Sequence, residues 1–127
     1  PPTLDGKFAS DYLEELILKD PPHGAKVSTK RRTPGSGWSA KEFSSQLETS
    51  LQNSSKNLWG QEYLCFGEGG SIPFIKQLAD YFPACEILVM GVLGPQSNAH
   101  ACNEFLHIDY CKKITSVLAH TLNDLSK

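Results

Sequence analysis

The sequence of 127 residues lacks any long apolar run and any strong excess of one charge. No window approaches the roughly 18 apolar residues that a membrane-spanning helix needs, and the first residues, PPTLDG, lack the charged and apolar regions of a signal peptide. Twelve basic and 14 acidic residues leave a formal charge of -2, and the one basic cluster, Lys30–Arg32, has no aromatic residues beside it. We therefore expect a soluble, cytoplasmic protein that binds neither membranes nor nucleic acid.

Sulfur-containing residues are also scarce, and their positions restrict the chemistry. The four cysteines, Cys65, Cys85, Cys102 and Cys111, form no CxxC pair, and three of them lie in or next to apolar segments. This pattern favours buried free thiols over a disulfide framework or a zinc knuckle. The only methionine is Met90, so the sequence does not begin at a translational start, and we expect it to be part of a longer protein.

Four segments have the apolar spacing and the terminal residues of amphipathic helices. Hydrophobic residues make up 39% of the chain and charged residues 20%, which is ordinary for a globular domain with a core. We predict helices between the cap Asp5 and the stop Pro21–Pro22, from about Ala40 to Asn57 after a Ser39–Glu42 capping box, from the cap Ser71 and Pro73 to Pro83, and over residues 109–127.

Three further segments predict β-strands, and they lead to an α/β fold. Residues 23–30 alternate apolar and polar side chains, EYLCF at 62–66 is a short apolar segment, and EILVMGVL at 86–93 is apolar almost throughout. From Ser39 onward the predicted order is helix, strand, helix, strand, helix, with the last two strands parallel. The loop RRTPGSG at 31–37, rich in proline and glycine, is the best candidate for a domain boundary.

Two loops would then lie at one edge of the predicted sheet, where open α/β sheets bind ligands. The loop GEGGS at 67–71 offers unshielded backbone N–H groups before a helix, which suits a carboxylate or a phosphate, although it matches neither a Walker loop nor GxGxxG. The loop GPQSNAH ends at His100, a candidate metal ligand or general base. On these residues alone, a tight turn and a structural histidine remain open alternatives.

Taken together, the two loops resemble a known family. EGGSIP at 68–73, followed about thirty residues later by AHACNEFLHI at 99–108 and a terminal amphipathic helix, resembles the carboxyl end of the M20 zinc metallopeptidases, among them the carnosinase-like and Cys-Gly dipeptidases and the carboxypeptidase G2-like enzymes. The resemblance implies that residues 37–127 form the C-terminal part of a mixed-sheet α/β catalytic domain. Residues 1–36 would be the last helix and strand of a ferredoxin-like lid, through which such enzymes form homodimers.

The resemblance also implies the residues of a site and its cofactor. In that family two divalent cations, zinc with manganese or cobalt as alternatives, serve the cleavage of dipeptides or N-acyl amino acids next to a free carboxylate. The implied site residues are His100 as a metal ligand, Glu68, Gly69, Gly70 and Ser71 as the substrate-binding loop, and Asn103 and Glu104 as residues that steady the histidine loop.

The resemblance leaves most of the catalytic apparatus outside the chain. The family's other metal ligands and its general-base glutamate lie upstream of anything present here, so no catalytic base is assigned and the chain alone is expected to be inactive. The rest of the catalytic domain would be its partner. Two other functions stay open: a non-catalytic folding or association module, and an α/β domain that binds a small anion without a metal. An H-x-D motif and a Glu-Glu pair before Pro1 would distinguish the enzyme from both.

Overall fold

The computed structural model describes residues 1–30, 32–67 and 72–127. Within these ranges the regular structure is helical throughout, and no residue lies in a β-strand. The elements are α1 (Gly6–Lys19), a 3-10 turn (Pro22–Gly24), α2 (Ser45–Trp59), α3 (Pro73–Tyr81) and α4 (Ile108–Leu125). None of the helices in the described ranges is long and apolar enough to cross a membrane.

The predicted α/β fold is therefore wrong, and with it the mixed-sheet catalytic domain and the strand of a ferredoxin-like lid. The three predicted strands, residues 23–30, 62–66 and 86–93, have no strand hydrogen bonds, and part of the first lies in the 3-10 turn. An apolar or alternating pattern shows that a segment suits a sheet, but a strand forms only when a neighbouring segment accepts its backbone hydrogen bonds. No such neighbour is present among the described residues.

The four predicted helices are present, with differences at their beginnings. Asp5 caps α1 as expected, because its carboxylate accepts a hydrogen bond of 2.8 Å from the backbone N–H of Phe8. Helix α2 begins five residues later than predicted, because Ser44 rather than Ser39 is its cap. The carboxylate of Glu86 accepts hydrogen bonds from the backbone N–H and the hydroxyl of Ser44, a tertiary contact that local sequence does not show. The cap position of α3 is Ile72, and the predicted cap, Ser71, lies outside the described residues.

The chain divides into two compact units. The first unit comprises Pro1–Ala40 with Gly67–Cys85, and the second comprises Lys41–Phe66 with Glu86–Lys127. In the first unit no described residue of α1 or α3 is buried. Polar contacts connect α1 to the segment that follows the 3-10 turn: Arg32 pairs with Asp11 at 2.6 Å and with Glu14 at 2.9 Å. Hydrogen bonds from Lys7 and Arg32 lower the pKa of Asp11.

A close backbone approach in the same unit requires a glycine. The backbone N–H of Gly6 donates to the hydroxyl of Ser36 at 3.0 Å, which brings the two chain segments together. A Cβ atom at Gly6 would lie 2.5 Å from the carbonyl carbon of Gly35, so any larger residue would push the segments apart.

The hydrophobic core lies in the second unit, where α2 packs against α4. Three apolar side chains of the described residues are buried: Leu47 and Leu51 from α2 and Val117 from α4. The partly buried side chains packed around them are those of Phe43, Leu58, Trp59, Tyr63, Leu88 and Met90. Full burial of one such aliphatic side chain contributes about 1.5–3 kcal/mol, so this core stabilises the unit only modestly.

The cysteines are free, as predicted, but the predicted burial is wrong. Cys65, Cys85 and Cys102 are exposed, and Cys111 is half-buried. The apolar segment around Cys65 explains the error, because its neighbours Leu64 and Phe66 are themselves 88% and 84% exposed. Apolar residues beside a cysteine in the sequence therefore do not show that its thiol is buried.

Candidate functional site

The loop that carries His100 is closed by a buried serine. The hydroxyl of Ser97, a residue only 3% exposed, accepts a hydrogen bond of 2.9 Å from the backbone N–H of Gly94. The backbone N–H of Ser97 donates to the carbonyl of Gly94 at 3.2 Å, and its own carbonyl accepts from Phe105 at 3.1 Å. These contacts fold residues 94–105 into a compact loop that leads towards α4.

The backbone of this loop is strained at four positions. Of the five non-glycine residues with positive φ in the described ranges, four lie here: Gln96 (67°), Asn98 (54°), His100 (62°) and Asn103 (61°). Asparagine and histidine adopt the left-handed region more often than other non-glycine residues, and glutamine adopts it rarely. Each such residue costs about 1–3 kcal/mol, and residues of this kind cluster at active sites and ligand clamps.

His100 is held by its backbone and leaves its ring free for a ligand. Its N–H donates to the carboxylate of Glu104 at 3.2 Å, and the loop is tightened by a hydrogen bond of 3.3 Å from the Asn98 amide to the carbonyl of Cys102. No hydrogen bond from another described residue reaches the imidazole, and the residue is exposed. The hydrogen bond accepted by Glu104 would steady the loop, and Asn103 contributes a left-handed backbone conformation. The roles of both residues at a metal site stay predictions.

The described residues do not assemble a metal site around His100. Zinc in proteins takes three or four protein ligands at fixed geometry. No group of three or more histidine, cysteine, aspartate or glutamate side chains in residues 1–30, 32–67 and 72–127 is placed to hold a metal ion. Any metal site at His100 would therefore need further donors.

The predicted substrate loop cannot be compared with the structure. Glu68, Gly69, Gly70 and Ser71 lie outside the described residues, so their predicted roles are untested. The expectation that this loop and the His100 loop share the edge of a parallel sheet has lost its basis, because the described residues form no sheet.

A second feature, which the sequence did not predict, is a pocket of about 430 Å³ in the second unit. Aromatic, charged and apolar side chains line it, mainly from the end of α2 and the first turns of α4: Trp59, Tyr110, Lys113, Asp109, His107 and Leu93. The only signal in the sequence is the spacing of Asp109 and Lys113, which places opposite charges four residues apart on one helix face. The approach of Trp59 to α4 depends on helix packing.

The sequence matches no protein-family model, and no curated protein matches it either.

Proposed function

We propose that this chain is part of an M20-type metal-dependent hydrolase, which cleaves dipeptides or N-acyl amino acids beside a free carboxylate. The observation that carries the proposal is the His100 loop: an exposed imidazole, without a hydrogen-bond partner among the described residues, on a backbone strained at four positions. Strain of this kind persists where the surrounding contacts hold it, and it is frequent at functional sites. A histidine that only packed in a core would not need such a loop.

In this proposal His100 is one ligand of a divalent cation. Zinc is the first candidate for this cation, and manganese and cobalt are the alternatives. A bound cation supplies Lewis acidity towards the carbonyl of the scissile amide. The protein's own contribution here is orientation: Glu104 fixes the backbone of His100, and Ser97 fixes the loop around it. The remaining ligands and the general base would come from protein outside this sequence.

The substrate-binding part of the proposal rests on sequence. Ser71 and the backbone N–H groups of Gly69 and Gly70 would bind the carboxylate of the substrate, and Glu68 would contact its amine. Short-chain hydroxyl and backbone donors before a helix suit an anion, because several N–H groups there lack helical partners.

A non-catalytic association module is the second candidate, and one observation favours it. The apolar face of α1 is exposed, with Phe8 at 64%, Tyr12 at 55% and Leu13 at 57%. Large exposed apolar patches on soluble proteins mark interaction surfaces. Homodimer formation through residues 1–36 would cover this face in either function.

Metal dependence tests the proposal directly. The full natural protein is stripped with a chelator, resupplied separately with zinc, manganese or cobalt, and assayed on a dipeptide and an N-acetyl amino acid, with their C-terminally amidated forms as controls. We expect hydrolysis of the free-carboxylate substrates that disappears on chelation and returns with metal. Absence of hydrolysis with all three metals, or hydrolysis that chelation leaves unchanged, would refute the proposal.

A further inference from the structure

The pocket of about 430 Å³ in the second unit borders the His100 loop, since Gly94 and Pro95 at the start of that loop line it. His100 is not among its lining residues, so an inference from this pocket does not depend on a metal site. Its volume lies within the roughly 300–1,000 Å³ of sites for small organic ligands. The side chains around it therefore decide which ligand it suits.

The first property of the pocket is an aromatic corner. The rings of Trp59, the last residue of α2, and Tyr110, in the first turn of α4, meet edge to face with centroids 5.6 Å apart and planes at 64°. Leu93 and Pro95 supply further apolar surface. Two rings at a steep angle form a corner against which a third, planar ring can pack by stacking or edge contact.

The second property is a pair of opposite charges that are not joined to each other. Asp109 and Lys113 both line the pocket and lie four residues apart on α4. The ammonium of Lys113 lies 5.4 Å from the centroid of the Trp59 ring, while the nearest cation to the Asp109 carboxylate among the described ion pairs is Lys112, at 3.9 Å. Neither charge is neutralised by the other, although Lys113 lies over the Trp59 ring and the side chain of Asp109 is 82% exposed.

A hydrogen-bond donor completes the lining. The Nδ1 atom of His107 accepts the backbone N–H of Tyr110 at 3.3 Å as the cap of α4. In the neutral imidazole this contact assigns the proton to Nε2, which is then a donor for an anionic group. A cation, a carboxylate one helical turn away on α4 and an apolar corner match one class of molecule.

We propose that this pocket binds a free aromatic α-amino acid as its zwitterion. The ligand carboxylate pairs with the Lys113 ammonium and the Nε2–H group of His107, the ligand ammonium pairs with Asp109, and the ring packs in the corner of Trp59 and Tyr110. A simple organic cation would be repelled by Lys113, and a simple anion would face the Asp109 carboxylate. A ligand of about 12 non-hydrogen atoms in such a pocket binds with a Kd on the order of millimolar.

The test is a titration of the ¹⁵N-labelled chain with L-phenylalanine, followed by the two indole N–H signals in ¹H–¹⁵N NMR spectra. The chain has two tryptophans, so Trp38 is an internal control for Trp59. We expect a saturable shift of the Trp59 signal and no matching shift of the Trp38 signal. L-alanine, 3-phenylpropionate and phenethylamine, which lack the ring, the ammonium and the carboxylate respectively, should each bind about tenfold more weakly or worse.

Two charge variants assign the contacts. Lys113→Gln should weaken L-phenylalanine about tenfold, whereas Lys56→Gln, which removes a lysine of α2 that pairs with Glu62 outside the pocket lining, should leave its Kd unchanged. Asp109→Asn should weaken L-phenylalanine and not 3-phenylpropionate. The inference fails if no shift occurs at tens of millimolar ligand, if L-alanine binds as well as L-phenylalanine, or if Lys113→Gln and Lys56→Gln behave alike. The ligand series uses the unmodified chain, so it decides the question even if a variant does not fold.

Discussion

Single residues determine the conformation of the His100 loop. Ser97 closes the loop by binding both the N–H and the carbonyl of Gly94, and its burial removes these polar groups from water. The strained backbone at His100 is maintained by these contacts and by Glu104, since an isolated histidine would leave the left-handed region. The loop thus presents the imidazole without using it for packing.

Replacement of His100 by alanine distinguishes a ligand from a packing residue. In the full natural protein we expect His100→Ala to abolish hydrolysis and to lower bound metal, because a methyl group has no atom that could bind a cation in place of the imidazole. Melting of the metal-free protein should stay close to wild type, because the exposed ring has no described hydrogen-bond partner. Metal content, turnover and thermal unfolding are measured together.

The matched control is His120→Ala, which removes an exposed histidine from α4. This variant should retain full metal content and activity. If His100→Ala also kept both, His100 would be structural, and the proposed hydrolase would lose its assigned ligand in this chain.

Ser71→Ala tests the carboxylate-binding loop. In the full natural protein we expect substrates with a free C-terminus to be bound more weakly by about 1–3 kcal/mol, the usual cost of an unpaired hydrogen-bonding partner. C-terminally amidated substrates should be almost unaffected. The kcat/KM values for the two substrate forms are compared, and an equal loss for both would show that the loop is only a turn.

At the scale of elements, the contact between α2 and α4 combines a small apolar core with polar groups. The hydroxyl of Ser50 donates to the carboxylate of Asp124 at 2.8 Å, and the amide of Gln46 donates to the carbonyl of Asp124 at 3.1 Å. Thr121 is 2% exposed, and its hydroxyl has no hydrogen-bond partner among the described residues. The contact between the two helices therefore includes both hydrogen-bonded polar groups and one buried hydroxyl without a described partner.

The Ser50–Asp124 contact predicts a pH dependence of stability. The Ser50 hydroxyl, and to a lesser extent Lys127, lower the pKa of Asp124 below its ordinary value of 3.8. A lowered folded-state pKa means that this stabilisation is present above pH 3.8 and is lost as the pH falls through the lowered value.

Ser50→Ala should therefore raise the pKa of Asp124. This change is measured by ¹³C NMR of the Asp124 carboxyl group. The stability difference from wild type should shrink in acid. Ser116→Ala, which removes a hydroxyl that donates to the backbone carbonyl of Lys112, should leave the pKa of Asp124 unchanged. An unchanged pKa in Ser50→Ala would contradict the assignment.

Thr121→Val should stabilise the second unit. Valine replaces a buried hydroxyl that has no described partner by a methyl group of similar size, which removes a desolvation cost of about 1 kcal/mol. Urea unfolding measures the change. The control is Thr115→Val, where the hydroxyl donates to the carbonyl of Cys111 on an exposed position and the expected change is within about 0.5 kcal/mol. A loss of stability in Thr121→Val would show that its hydroxyl is satisfied in solution.

At the scale of the whole molecule, exposed apolar residues far outnumber buried ones. The buried apolar side chains of the described residues belong to Leu47, Leu51 and Val117. Large apolar side chains are exposed in both units, such as Phe74 at 66% in the first and Leu122 at 62% in the second. Each unit therefore leaves apolar surface available for contacts with other protein.

Zinc titration of the 127-residue chain tests how much of a metal site it contains. Because no group of three or more histidine, cysteine, aspartate or glutamate side chains among the described residues is placed to hold a metal ion, we expect no stoichiometric site of sub-micromolar affinity by isothermal titration calorimetry. Exposed thiols can bind zinc on their own, so the titration is repeated with all four cysteines replaced by serine. A tight stoichiometric site that persists without the cysteines would show that the chain holds a complete metal centre.

The sequence by itself determined where the helices lie, because helices form from local hydrogen bonds and local caps. Asp5 and the prolines after α1 bound that helix as predicted, and α4 follows from its apolar spacing. The sequence also identified the His100 loop, because its turn-forming residues can be recognised without knowledge of tertiary contacts. The fold class could not be obtained in this way, because a strand depends on backbone partners elsewhere in the chain.

Only the tertiary structure decided three further features. Glu86 selects Ser44 as the cap of α2, although the capping box at Ser39 is the stronger local pattern. The left-handed backbone of His100 depends on hydrogen bonds within the folded loop. The packing of α2 against α4 brings Trp59 to Tyr110 and so forms the pocket. The first and third of these contacts join residues far apart in the sequence, and the second, between His100 and Glu104, forms only when the loop closes.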